Sequence, residues 1–275
     1  IDRLAHESDL VLGRTVERSD LAVRRHIQVA VNGHHHTVVG RIGADTVSVV
    51  DQRVNMPVLY AKICGVENGK LPGYWQKISQ LIKAANVLQY DLPMLAPGIP
   101  NKYQSLALKV LKNGNLRREE LRADRAYPFK LIRQELEDHV LNKLQLMLDR
   151  RLIRGTFVNG TEYTVVSTIL NMNKDLLRLL QGFDFTKRNP KVVCISTKDQ
   201  TASLEDAILL TFLNLVGFDV LLFVPTGYQT IENHLNDNLP VEHQIGDYLY
   251  DLVVPDLKAL PSRSGFLSNI LKRSK

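Results

Sequence analysis

The pattern of apolar and polar positions changes character several times along the chain. Residues 22–58 are dense in Val, Thr and Ile, and the runs VRRHIQVAV, HHTVVGRIG and TVSVVDQRV are punctuated by Asn32-Gly33, Gly40 and Gly43. Short β-branched runs with an Asn-Gly turn between the first two predict three antiparallel strands, the first pair a hairpin. MPVLYAKICGV (56–66) is mostly apolar, and YWQKISQLIKAANV (74–87) carries its apolar residues at helical spacing. That is a strand followed by a helix. Pro93, Pro97, Gly98 and Pro100 then mark residues 91–101 as a connector, since proline at that density cannot continue a helix. Helices are predicted at about 102–113, 117–125 and 128–150, the last with Leu131, Leu136, Val140, Leu144 and Leu148 on one face. Between 150 and 190 a short strand, an Asn159-Gly160 turn, a strand and a helix are expected. This order resembles the wing of a winged-helix element, but no basic recognition helix precedes it, so a hairpin joining two helices is the preferred reading.

From Pro190 the pattern shifts again. KVVCIST is a β-branched run, SLEDAILLTFLNLVGF an amphipathic helix, DVLLFVP a second apolar strand and TIENHL the start of another helix. Nearly continuous apolar strands indicate burial on both faces, as in a parallel sheet, and the lack of a hairpin-length connection requires a crossover. Ser203 before Leu204, Glu205 and Asp206 fits an N-cap, and Gly217 fits just past the helix end. YLYDLVVPDL should add a short strand. The expected fold class is α/β: a β-rich N-terminal segment (1–55), a strand-helix opening and helical region (56–189), a Rossmann-like parallel-sheet domain (190–257) and a basic tail (258–275). Phe183 and Phe185, just before that domain, are expected to dock beneath it, with Asp184 and Lys187 anchoring the loop that leads in.

Composition narrows the function classes. At 275 residues, 44% hydrophobic and 23% charged, the chain is that of an ordinary folded protein. The net charge of +6 is diffuse: Arg117, Arg118, Arg122 and Arg125 alternate with Glu119, Glu120 and Asp124. Without interleaved aromatics this is a solvated helix face, and nucleic acid is not the expected partner. Cys64 and Cys194, the only cysteines, sit in apolar runs with no ligand at metal spacing, so both read as buried free thiols. The His34-His35-His36 triplet offers at most two ligands on one strand face, and no metal is assigned. No run approaches the ~20 apolar residues of a membrane span and no leader opens the chain, so a cytoplasmic protein is expected.

In open parallel sheets ligands bind outside the carboxyl ends of the strands. Two loops qualify: Ser196, Thr197, Lys198 and Asp199 after the first strand, and Thr226, Gly227 and Tyr228, followed by Asn233, after the second. Hydroxyls, a lysine, a tyrosine, a glycine that lets backbone approach a ligand and helix N-terminal N–H groups together suit a phosphorylated small molecule. Glu205, Glu232 and His243 are the candidate acids or bases, His243 because an unperturbed imidazole titrates near neutrality. The equal alternative is that these residues only cap helices and decorate loops. No Gly-x-Gly-x-x-Gly, Walker, nucleophile-elbow or His-Glu-x-x-His pattern is present.

The segments LLRLLQGFDFTKRNPKVV (176–193), SLEDAILLTFLNLVGFDVLLFVPTGYQTIEN (203–233) and HQIGDYLYDL (243–252) resemble the C-terminal part of the YceG-like family. MPVLYAKICGV with the YWQKISQLI helix resembles that family's strand-helix opening, so the resemblance covers about residues 56–257. Phe-Asp-Phe-Thr-Lys and Pro-Thr-Gly-Tyr-x-x-Ile-Glu are its specific part. Members are encoded beside TerD-type and TelA-type proteins in bacterial tellurite-resistance and stress operons, and are often longer than this chain. The resemblance implies a bacterial stress-response role with TerD-like and TelA-like partners, and names no reaction or cofactor. Two functions remain in view: action on a nucleotide, sugar nucleotide or other phosphorylated metabolite, and a non-catalytic scaffold of a Ter-type complex.

Overall fold

Three fully buried strands and two less buried ones lie side by side in one parallel sheet. The structure is a computed structural model that describes residues 14–17, 48–50, 53–56, 58–94, 100–182, 189–199 and 202–261, the first three stretches by backbone only. Strands β1 (Arg14–Glu17), β2 (Ser48–Val50) and β3 (Arg53–Met56) form a small antiparallel sheet in the order β1-β3-β2. The main sheet contains β4 (Tyr60–Cys64), β5 (Val87–Asp91), β8 (Lys191–Ile195), β9 (Asp219–Val224) and β10 (Val241–Gln244) in the order β10-β4-β9-β8-β5, every neighbouring pair parallel. A two-stranded ribbon, β6 (Leu111–Lys112) with β7 (Asn115–Leu116), lies apart from it in sequence. The helices described are α1 (Leu71–Ile82), α2 (Gln104–Val110), α3 (Arg118–Ala123), α4 (Gln134–Asp149), α5 (Thr161–Leu170), α6 (Lys174–Gln181) and α7 (Leu204–Val216).

Strand order dictates which face each helix covers. The chain steps from β4 past two strands to the edge strand β5, then returns through β8 to β9, and crossovers of one hand that run in opposite directions must lie on opposite faces. On one face, Ala61, Ile63, Val193, Ile195, Leu221 and Phe223 pack with Tyr74, Trp75, Ile78 and Ile82 of α1 and with Leu257. On the other, Tyr60, Cys64, Val192, Cys194, Val220, Leu222 and Val224 meet a core shared with α2 and α4–α7. Every residue from Asp206 to Val216 is buried, because α7 is covered by the sheet on one side and by α4 and α5 on the other. The expected amphipathic helix is thus buried all round, as a helix inside two layers must be. Thr211 Oγ1 lies 3.2 Å from Tyr60 Oη, and Asn214 Nδ2 donates to Leu59 O and Phe218 O at 3.1 Å. Lys191 and Asp219, both buried at the opposite edge of the sheet, form an ion pair.

Several local expectations are corrected. The hairpin around Asn159-Gly160 is absent; TEYTVVSTIL is helix α5, started by Gly160 at φ 86° and buried against α2 and α7. Tertiary burial there overrides the β-preference of a Thr- and Val-rich run. The helix expected after β9 is only a 3-10 turn, Glu232–His234. The last strand among the described residues is Val241–Gln244, and residues 248–257 form no strand. Helix α1 ends at Ile82, leaving Val87–Asp91 to form β5, a strand the periodicity did not predict. Leu131 precedes α4 and is 90% exposed. Because β4 and β5 pair with β8–β10, the parallel unit extends across position 190. The Asn32-Gly33 hairpin, the His34-His35-His36 triplet and Phe183, Asp184, Phe185 and Lys187 lie outside the described residues.

Candidate functional site

The switch point of this sheet lies between β4 and β9. After β4 the chain turns to the α1 face, whereas after β9 it crosses the other face, where Ile231 and Leu235 enter the core. A ligand crevice is expected there, but the chain after β10 fills it. Ile245 N donates to Cys64 O (2.9 Å), Val66 N to Asp247 O (2.8 Å) and Leu249 N to Pro225 O (3.0 Å), so residues 245–249 lie as a strap across the carboxyl ends of β4 and β9. The strap continues down the α1 face, where Ser79 Oγ donates to Leu257 O (2.6 Å).

What stays open is the space beside the strap. A cleft of about 670 Å3 lies at the carboxyl ends of β5 and β8, lined by Gln89, Asp91, Leu92, Pro93, Ile195, Ser196, Thr197, Lys198 and by residues 254–258 of the strap. Three of the expected ligand residues, Ser196, Thr197 and Lys198, therefore line one concave surface. Ser196 is held by its N–H, which donates to Phe223 O (2.9 Å) and extends the β8–β9 ladder by one residue. Lys198 and Lys258 bring two ammonium groups, and Asp91 and Asp256 bring two carboxylates. The lip at Leu92–Pro93 is secured by Asp206, whose Oδ1 accepts from Met94 N (2.6 Å).

The remaining expected residues lie elsewhere. Thr226, Gly227 and Tyr228 also follow a carboxyl strand end, and the two loops touch, Ala202 N donating to Thr230 O (3.2 Å). They do not line the cleft. Thr226 is buried and its Oγ1 accepts from Tyr228 N (3.4 Å). Gly227, at φ 72°, faces the strap: a Cβ there would come within 2.6 Å of the Tyr248 ring, so its lack of a side chain admits the chain's own tyrosine. Asp199 and Asn233 are exposed in their loops. At the start of α7 a capping box takes up two of the N–H groups, Asp206 N donating to Ser203 Oγ and Ser203 N to Asp206 Oδ2, both at 3.0 Å.

Of the expected acids and bases, Glu205 lies in the first turn of α7. His243 sits within the edge strand β10, in register with Ile63, rather than over the loops. Glu232 belongs to a charge cluster built around the buried Lys62. Its Oε1 is 2.7 Å from Lys62 Nζ, and its Oε2 accepts from Thr230 N (2.6 Å) and Thr230 Oγ1 (3.2 Å). Glu242 Oε2 reaches the same Nζ at 3.1 Å. Burial alone would raise the pKa of Glu232, but Lys62 and the backbone N–H groups outweigh it and hold the carboxyl below its ordinary range. Burial alone would lower the pKa of Lys62, and the two glutamates reverse that as well. Beside them burial pushes the Cys64 thiol up to about 11, against the pull of Lys62. A carboxylate held this firmly in its ionised form is a weak base, and the cluster serves to fix the 230–235 crossing onto β4.

Gln89, Asp91, Asp256 and Lys258 are cleft residues that the sequence reading missed. Asp91 carried a usable signal: VLQYD is a short apolar-rich run ending just before Leu92-Pro93, and the carboxyl-end rule applied to it selects Asp91. Asp256 and Lys258 carried none, because nothing local shows that the strap folds back over the sheet.

The comparison with known proteins agrees with the sheet as a single unit. A YceG domain matches residues 48–247, most of the chain, and the chain belongs to that family. The uncharacterized protein YceG of Bacillus subtilis (strain 168) is 23% identical over 202 residues, which are 72% of this chain and 37% of that protein. No solved structure matches. Among the described residues no helix is long and apolar enough to cross a membrane.

Proposed function

We propose that this YceG-domain chain binds a phosphorylated metabolite of the nucleotide or sugar-nucleotide class in the cleft at the carboxyl ends of β5 and β8. The observation that carries the reading is the convergence of Ser196, Thr197 and Lys198 with Asp91 and Gln89 in one open cleft of about 670 Å3. That volume lies within the range of small-molecule sites. Lys198 and Lys258 supply charge for a phosphate, the Ser196 and Thr197 hydroxyls donate to its oxygens, and Asp91 accepts from sugar hydroxyls. The sheet resembles a Rossmann-like unit in carrying its ligand at strand carboxyl ends, with the site moved off the switch point by the strap. The cellular setting, a bacterial stress response of the tellurite-resistance type with TerD-like and TelA-like proteins as partners, is proposed on the sequence resemblance to the family.

A thermal-shift series with ADP, UDP, UDP-glucose and inorganic phosphate tests the reading. A ligand bound by the native state raises the midpoint with concentration. Lys198→Ala should weaken the best ligand about tenfold or more, as expected for a lost charged hydrogen bond, with no fall in the unliganded midpoint. If none of these ligands raises the midpoint, or if Lys198→Ala binds as tightly as the native chain, the scaffold reading takes its place.

A further inference from the structure

The loop after β9 and the strap each carry a tyrosine that the core does not use. Tyr228 is 37% exposed and Tyr250 51% exposed, yet their ring centroids lie 5.6 Å apart at an interplanar angle of 52°. Isolated exposed aromatics are ordinary, but two rings held against each other in solvent form a surface. Hydrogen bonds beside them fix both backbones: Leu249 N donates to Pro225 O (3.0 Å) and Tyr228 N to Thr226 Oγ1 (3.4 Å). Tyr248, seated against Gly227, fills the space between the strap and the loop.

Their place follows from the connections. Tyr228 ends the loop after β9, next to β8 and its Ser196–Lys198 loop, and neighbouring strands are about 4.8 Å apart. Tyr250 precedes Val254, a cleft-lining residue, by four positions, at most about 14 Å even for fully extended chain. The aromatic pair and the lysine-bearing cleft thus share one edge of the sheet. A sugar phosphate would use the cleft alone, whereas a ligand with a planar ring would use both.

We propose that Tyr228 and Tyr250 form a stacking subsite for the base of a nucleotide whose phosphate lies toward Lys198, an assignment that rests on the reading of the cleft as a phosphorylated-metabolite site. Base–aromatic stacking tolerates any base, because every base presents a π-face. The subsite therefore selects nucleotides over sugar phosphates rather than one base over another.

Calorimetric titration of the full chain with ADP, UDP, ribose 5-phosphate and pyrophosphate tests it, using Tyr250→Ala, Tyr250→Phe and Lys198→Ala. The native chain should bind ADP or UDP at least about tenfold more tightly than ribose 5-phosphate or pyrophosphate, in line with stacking on one aromatic side chain. Tyr250→Ala should remove most of that advantage and leave ribose 5-phosphate affinity unchanged, while Tyr250→Phe should keep it. Equal binding of nucleotide and ribose 5-phosphate, or an advantage that survives Tyr250→Ala, overturns the stacking subsite and leaves the cleft reading standing. Nucleotide binding lost in Tyr250→Ala but untouched in Lys198→Ala shows stacking without a phosphate at Lys198, which overturns the cleft reading and the assignment that rests on it. Binding of none of the four compounds overturns both.

Discussion

Replacing Gly246 by Ala should lift the strap from the sheet, and the expected cost can be built from the contacts. A Cβ at position 246 would lie 2.1 Å from Val66 O, 2.5 Å from Val66 C and 2.8 Å from Glu67 N. All three are backbone atoms, so no side chain can swing aside to relieve the overlap. Overpacking of this kind costs about 1–3 kcal/mol. Separation of the two chains also breaks the Val66 N to Asp247 O hydrogen bond, worth about 0.5–1.5 kcal/mol. Together these give a destabilisation of about 1.5–4.5 kcal/mol. Gly73 supplies the control: it lies in the first turn of α1 with nothing within 4 Å of its added Cβ. There Ala should stabilise by about 0.5 kcal/mol, by reducing the freedom of the unfolded chain. Urea unfolding can be followed by the fluorescence of Trp75, the single tryptophan, which is buried in the core that the strap covers. Limited proteolysis should cut Gly246→Ala within residues 245–260 before the native chain is cut in that stretch. If Gly246→Ala unfolds within 0.5 kcal/mol of the native chain, measured alongside a stabilised Gly73→Ala, then the strap is not seated between β4 and β9 and the account of the cleft wall fails with it.

Lys62→Met should destabilise by about 3 kcal/mol, near the low end for breaking a buried pair because Glu242 is half exposed. The folded-state pKa of Glu232 is depressed, so its contribution is present above its ordinary value of 4.5 and lost as pH falls through the folded value. An acid-side loss of stability that persists unchanged in Lys62→Met would contradict the pairing. Asp206→Ala removes the N-cap partner of Ser203 and the acceptor for Met94 N, and should cost about 2–3 kcal/mol while speeding amide exchange at residues 92–94. Exchange there at the native rate would show that Asp206 does not hold the cleft lip. Both thiols are free and buried, Cys64 with its pKa pushed up to about 11, so iodoacetamide at neutral pH should label neither cysteine in the folded chain and both in denaturant; native labelling of either would argue against the core as described.

Some of this protein was legible one segment at a time. KVVCI and DVLLFV read as fully buried parallel strands because continuous apolarity over so few residues leaves little else, and β8 and β9 pair in parallel. Ser203 and Asp206 announced the start of α7, and both halves of the capping box form. Signals of this kind act over three or four residues and need no knowledge of the rest of the chain. The errors came where distant residues decide. TEYTVVSTIL has the composition of a strand and becomes α5 because α2 and α7 bury it from both sides. Glu232 looked like a free base until Lys62, 170 positions earlier in the sequence, came to lie 2.7 Å away. The strap shows the same thing on a larger scale, since Ser79 meets Leu257 across a separation of 178 residues, and nothing in either neighbourhood encodes that meeting. Local sequence thus determined which segments become buried strands and where α7 begins, whereas strand order, the closing of the switch point and the displacement of the cleft to β5 and β8 depended on long-range pairing, which is a property of the assembled sheet and of no single run within it.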